Sequence, residues 1–264
     1  MWAAEGRVAV CSGLAGWGSC GLHRERMRWD INCDLGEGEP LVRTRALMRC
    51  VTSANVACGG HAGDVRIMER CALLAVRHGV RLGAHPGLQD GFGRAQAVVS
   101  VKDLETLLIQ QVGGLQAVAR GCRARLHHVK LHGSLYHAVE REAPLRRAFL
   151  RAMSRWFPGL KVYALAGGTV AAEAPRFGVD VWEEGFLDRA YRDDGALVPR
   201  GETGALMTDA RQRKVRLERL REGGGLLSAG GCPLSVRPRT LCVHGDSGEA
   251  IALARLARRL LVGG

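Results

Sequence analysis

Lysine is scarce in this 264-residue chain: Lys102, Lys130, Lys161 and Lys214 stand among 38 basic residues. A net charge of +12 would suit a polyanion, because cations that neutralise phosphates release counterions. The arginines, however, are dispersed through helix-period segments that also carry acids, as Glu218 and Glu222 do among Arg216, Arg219 and Arg221. Dispersion of that kind argues against a nucleic-acid-binding face and leaves a general attraction for anionic substrates. Other features are missing outright. The nine cysteines include no C-x-x-C pair, and Cys33, Cys58 and Cys242 fall in apolar runs, so buried thiols in a reducing compartment are expected. No run approaches 18 apolar residues, and Glu5 and Arg7 interrupt what would be the core of a signal peptide, so neither a membrane span nor secretion is expected, and the location is predicted to be cytoplasmic. There is no G-x-x-x-x-G-K-[ST] run, which excludes a standard phosphate-binding loop.

What is present is the composition of a globular chain, 47% hydrophobic and 24% charged, long enough for one α/β barrel. The first 26 residues are rich in glycine and small side chains and end where Met27 precedes a strand-like run. They are expected to be an extension outside the fold, with an amphipathic element docked under the barrel as the alternative. Residues 27–264 are expected to form one domain. Short β-branched runs ending in polar residues alternate with helix-period segments there, the signature of βα units and a parallel sheet. Strands are predicted over 29–35, 51–58, 80–85, 128–132, 162–166, 179–184 and 240–244, and helices over 67–78, 101–120, 144–156, 208–221 and 248–261. Seven such units can close into a barrel or remain an open sheet.

In parallel α/β folds the functional groups follow the carboxyl ends of strands. The first predicted strand places Asp30, Asn32 and Asp34 on one face, with Glu37 beyond, and three polar residues on one strand face need partners or a site. The second ends in Asn55, Cys58 and the turn Gly59-Gly-His-Ala-Gly-Asp64, where Asp64 suits a helix N-cap but His61 and Asn55 have no such explanation. The third ends at His85 and leads to Asp90 and Arg94. The fourth carries His128, Lys130 and His132, and a lysine in an apolar strand requires a carboxylate or a substrate anion. The sixth leads into Glu184, Asp188, Arg189 and Tyr191, the seventh into His244 and Asp246. His61, His85, His132 and His244 each follow a strand with glycine nearby, which predicts one shared pocket.

The segments Asp30-Ile-Asn-Cys-Asp-Leu-Gly-Glu37, Thr52-Ser-Ala-Asn-Val-Ala-Cys58, His61-Ala-Gly-Asp64, Gly83-Ala-His-Pro-Gly87, His128-Val-Lys130 with His132-Gly133, Asp188-Arg-Ala-Tyr191, Leu197-Val-Pro-Arg200 and Cys242-Val-His-Gly-Asp246 resemble, in order, the signatures of the LamB/YcsF family. That resemblance implies an α/β fold that is a seven-stranded parallel (β/α) barrel, TIM-like and related to the glycoside hydrolase/deacetylase barrels. It also implies ATP-driven hydrolysis of 5-oxo-L-proline to L-glutamate as the A subunit of a 5-oxoprolinase, with B and C partner subunits and Mg expected beside ATP. Gly60 stands where the family has a bulky residue, Val65 and Leu131 where it has prolines, and the segment from Glu39 to Arg49 is shortened.

Lactam opening needs a base, stabilisation of developing charge and a proton for the ring nitrogen. Asp34 is expected as the base, His61 or His132 as the proton donor, and Lys130 as the charge stabiliser. Asn32, Asn55, His85, Arg94, Asp188, Arg189, His244 and Asp246 are expected to contact substrate, with Arg94 or Arg189 on its carboxylate. Two other readings stand beside this one. A deacetylase or amidohydrolase acting without ATP would place a divalent metal among Asp34, His61, His85 and His132, although its expected H-x-x-x-H spacing is absent. A non-catalytic subunit of the complex would use the same residues for assembly.

Overall fold

The computed structural model describes residues 29–89 and 99–263. The expected extension therefore lies outside the described residues, as do Asp90 and Arg94. Seven parallel strands, β1 (Asp30–Leu35), β2 (Ser53–Ala57), β3 (Arg81–His85), β4 (Leu126–Val129), β5 (Lys161–Leu165), β6 (Val181–Phe186) and β7 (Thr240–Val243), follow one another around a closed barrel in which β7 pairs with β1. Closure, which the strand pattern alone left open, removes both sheet edges.

Helices α1 (Leu41–Met48), α2 (Val65–His78), α3 (Val101–Gly121), α4 (Gly133–Arg141), α5 (Ala143–Trp156), α6 (Thr169–Glu173), α7 (Ala210–Arg221) and α8 (Ala250–Ala257) accompany the strands. In α3 the spacing of Leu104, Leu108, Val112, Leu115 and Ala119 makes one buried stripe, each residue no more than 1% exposed. Burial of each such leucine contributes roughly 1.5–3 kcal/mol, which outweighs the two mid-helix glycines, Gly113 and Gly114. The Ser100 side chain caps this helix by accepting from the Asp103 N–H. Asp64 caps α2 in the same way, accepting from Ile67, and Gly79 ends it in the left-handed conformation at φ 64°. The final helix is shorter than expected, giving way at Arg258–Val262 to a wider π turn.

Two further differences bear on the site. The fourth strand ends at Val129 and not at His132, because its register with β3 shifts at Leu82 and Gly83. Gly83 is required there: a Cβ on it would overlap His128 Nε2, so the ring of the neighbouring strand occupies the space of the missing side chain. Lys130 and His132 stand just beyond the strand, yet their N–H groups still donate to Ala84 and Pro86 of the preceding strand and loop. The shortened segment after Glu39 also folds, as the eight-residue α1. Its Arg43 donates through Nε to the Gly245 carbonyl and through Nη2 to that of Ser247, tying α1 to the β7–α8 loop.

Candidate active site

The barrel interior is polar in tiers, and the depth of each tier decides what its residues can do. At the bottom, Asp30 is 1% exposed and accepts from Thr52, Ser53, Arg81, Tyr163 and Thr240 at 2.6–3.1 Å. A carboxylate so fully engaged braces five strands, and it has no room for a reactant. In the middle, the Asn55 amide donates to Asn32 Oδ1 and Asp34 Oδ1, both at 2.7 Å, and its carbonyl oxygen lies 2.6 Å from His128 Nε2. Asn32 in turn donates to Thr240 at 2.7 Å. Asn32 and Asn55, expected to contact substrate, are fully buried and form the platform under Asp34.

The upper tier gathers the ionisable groups. Lys130 Nζ lies 3.0 Å from Asp34 Oδ1, 3.1 Å from Cys242 Sγ and 3.0 Å from Glu184 Oε1. The Glu184 contact has ion-pair distance without hydrogen-bond alignment. Burial alone would lower the pKa of Lys130, but Asp34, Cys242 and Glu184 outweigh it and hold the ammonium well above its ordinary range. For Asp34, burial pushes the other way and is outweighed by His85 and then Lys130, so the carboxylate stays ionised well below its usual pKa. Glu184 and Cys242 were not among the expected site residues. Glu184 stood at a predicted strand end with nothing to distinguish it from a rim acid, and Cys242 looked like a core thiol.

Glu37 was also missed as a site residue. Strand alternation ends at Leu35, and Gly36 at φ 79° turns the chain, with its N–H and that of Glu37 both donating to the Glu39 carboxylate. The turn carries Glu37 over the barrel mouth, where Oε1 lies 2.9 Å from His61 Nε2, 3.1 Å from His132 Nδ1 and 3.4 Å from His85 Nε2. Burial would raise Glu37, but hydrogen bonds from His132, His61 and His85 outweigh it and hold the carboxyl far down. His61 itself is lowered, chiefly by burial and only partly offset by Glu37. For His85 burial is outweighed by Asp34 and Glu37, and its pKa is raised. These directions are consistent with a neutral His61 donating to Glu37 while the positive charge of the cluster resides on His85.

The fourth strand-end histidine sits apart from the other three. His244 Nδ1 lies 2.8 Å from Asp188 Oδ1, its backbone N–H donates to Asp188 Oδ2, and its ring stacks on Phe186. Burial of Asp188 is outweighed by His244, so that carboxylate is lowered and ionised. Asp34 connects the two groups, within reach of His85 at 3.6 Å and of the Cys242 and His244 ligand atoms within 4.8 Å. Arg189, expected as a substrate clamp, is 3% exposed and donates to the carbonyls of Ala205 and Val198, pinning the long loop before α7. Asp246 stays on the rim, 4.0 Å from Arg200. Arg94 lies outside the described residues.

Gly60 has a local reason. A Cβ there would overlap the Gly87 carbonyl and lie 2.5 Å from Gln111 Nε2, and Gln111 bonds both the N–H and the carbonyl of Gly87. Gln111 of α3 thus fills the place of a larger side chain and fixes the loop after β3.

A closed parallel barrel whose acids, lysine and histidines converge beyond the carboxyl ends of its strands defines the class: a (β/α) barrel of the TIM-like kind with its site in the strand-end loops. Within that class the chain belongs to the LamB/YcsF family, whose model matches residues 29–263. It is 42% identical over 240 residues to the 5-oxoprolinase A subunit of Syntrophobacter fumaroxidans, covering 89% of this chain and 95% of that one. It is 38% identical to the 5-oxoprolinase A subunit of Pyrococcus abyssi, with 89% and 94% covered. Among solved structures, the lactam utilization protein of Thermus thermophilus superposes with a TM-score of 0.81 at 35% identity, over 89% of this chain and 96% of that one.

Proposed function

We propose that this chain is the A subunit of an ATP-dependent 5-oxoprolinase and that it performs the ring-opening step. The names of the relatives support a cyclic amide as substrate. The observation that carries the reading is the ionised Asp34, held by Lys130 and reached from two sides by histidines, which is what amide hydrolysis requires of a base beside proton carriers.

ATP first phosphorylates the lactam oxygen. Asp34 takes a proton from water as the water oxygen bonds to the lactam carbonyl carbon, so that C–N cleavage leaves an acyl phosphate whose hydrolysis releases phosphate. In that cleavage the ring nitrogen leaves with a proton from a histidine, giving the open amino acid. His244 suits that donation: Asp188 holds its Nδ1, and its side chain is 14% exposed, whereas the His61 ring is fully buried. Lys130 Nζ donates to Asp34 and Cys242 and stands at ion-pair distance from Glu184. These contacts suit it to position and ionise Asp34, beside the charge stabilisation expected from sequence.

ATP fits this mouth poorly. Among the described residues, the cavity beside Glu37, of ≈ 580 Å³, carries the carboxylates of Glu37, Glu39 and Asp64 against one guanidinium, that of Arg70, and the sequence has no standard phosphate-binding loop. Nucleotide and magnesium accordingly belong to the B and C subunits, and this chain needs both for turnover. The test is glutamate release from 5-oxoproline with and without ATP and the candidate B and C partners. Release only with ATP and all three chains is expected. Release by this chain alone without ATP would contradict the reading.

A further inference from the structure

Glu37, His61, His85 and His132 bring four donor atoms together, all within 4.8 Å of one another. Glu37 Oε1 lies 2.9 Å from His61 Nε2, 3.1 Å from His132 Nδ1 and 3.4 Å from His85 Nε2, and His85 Nε2 lies 3.1 Å from His132 Nδ1. A tetrahedral ion bound at about 2.0–2.1 Å by nitrogen and oxygen sets its ligands about 3.3–3.4 Å apart. Four of the six edges of such a tetrahedron are thus at or slightly below that length, and the two from His61 to the other rings are within 4.8 Å.

The hydrogen-bond geometry of His85 fits the same arrangement. Its Nδ1 lies 2.8 Å from the Lys130 carbonyl, which can only accept, so Nδ1 bears hydrogen. On the neutral ring, Nε2 then offers a lone pair toward carboxylate oxygens of Glu37 at 3.4 Å and Asp34 at 3.6 Å. His132 Nδ1, 3.1 Å away, is one donor that lone pair can accept from, and a metal ion is the other partner that would draw the carboxylates and the ring nitrogen together. A backbone carbonyl holding the far nitrogen is the support commonly found behind a metal-bound histidine. The His61 ring is fully buried, yet among the described residues its Nδ1 has no partner, and neither has His132 Nε2. Those two rings lie parallel, 3.6 Å apart and 6° from coplanar orientation, so as they stand they cannot both aim in-plane lone pairs at one point. With their outer nitrogens untethered, one ring can turn toward a shared ion.

We propose that Glu37, His61, His85 and His132 form a binding site for one divalent first-row transition ion of the zinc type. Three imidazoles and a carboxylate are the donor set such ions prefer over magnesium or calcium. Glu37 and His61 both line the ≈ 580 Å³ cavity, which provides the way in. The neighbouring group of Asp34, Cys242 and His244 is a poorer candidate, because the Lys130 ammonium already stands 3.0 Å from Asp34 and 3.1 Å from Cys242. The site shares the mouth with the reaction proposed above, but its occupancy is measured without substrate, ATP or partners, so either proposal can fail alone.

The experiment strips the full chain with a chelator and titrates zinc and cobalt by calorimetry, with metal content read by mass spectrometry and the cobalt form by visible absorption. One equivalent with a tetrahedral cobalt spectrum is expected. Glu37→Gln and His61→Ala should weaken binding at least about tenfold while leaving the circular dichroism spectrum folded, and Cys242→Ser should leave binding unchanged. A folded wild-type chain that binds neither ion, or binding lost in Cys242→Ser and retained in Glu37→Gln, overturns the proposal and leaves the cluster holding protons only.

Discussion

Lys130 Nζ meets Asp34 Oδ1 at 3.0 Å inside the barrel mouth, with the lysine 4% and the aspartate 11% exposed at their side chains. Removing one partner of a buried pair leaves the other charge uncompensated, at a cost of about 3–5 kcal/mol. Lys130→Met would strand both Asp34 and Glu184, so a loss of that order is expected in urea unfolding. A loss below about 1 kcal/mol would mean that the pair is solvated in solution.

The pH dependence of stability follows from the same groups. Asp34 and Glu37 have depressed native pKa values, so their contribution is present above the unfolded carboxylate range, near pH 4, and is lost as pH falls below it toward the native values. His85 has a raised native pKa, so its contribution is complete below about pH 6.5 and is lost as pH rises through the native value. Melting temperature against pH should show both limbs. In Glu37→Gln the alkaline limb should shrink, because one of the carboxylates that raise His85 is gone.

Much of this fold was legible in the sequence. Alternation in Asp30, Asn32 and Asp34 identified one inward face of β1, and β-branched runs located six of the seven strands to within a few residues. Depth was not legible: the same alternation made a brace of Asp30, a platform of Asn32 and a lysine-paired carboxylate of Asp34, and only their neighbours distinguish them. Glu37 escaped because a left-handed glycine ends the period-two pattern before it. The fourth strand was misplaced because its register depends on the pairing of Gly83 with His128, which lie far apart in sequence and meet only when the barrel closes.

Asp30→Asn separates bracing from chemistry. Five donors meet this carboxylate, and an amide cannot accept from all of them, so a stability loss of about 1–3 kcal/mol is expected. Turnover per folded molecule in the assembled enzyme should stay within about twofold of wild type.

Gly60→Ala tests the Gln111 clamp. The added Cβ would overlap the Gly87 carbonyl, and backbone must move to admit it. A loss of about 1–3 kcal/mol is expected in thermal unfolding. An unchanged melting temperature would show that the loop after β3 is not fixed by Gln111.

Asp188→Asn should leave the chain folded while disturbing the tautomer and orientation of His244, lowering turnover by about 10²–10⁴-fold with little change in KM. A defect in KM alone would place Asp188 in substrate binding.

The central claim, that Asp34 is the base of ring opening in this chain, is tested most directly by one rate. Glutamate formation from 5-oxoproline and ATP is compared between wild type and Asp34→Asn, each assembled with the B and C subunits and matched for complex formed. A loss of at least about 10²-fold with assembly intact is expected. Turnover within a few-fold of wild type would contradict the account.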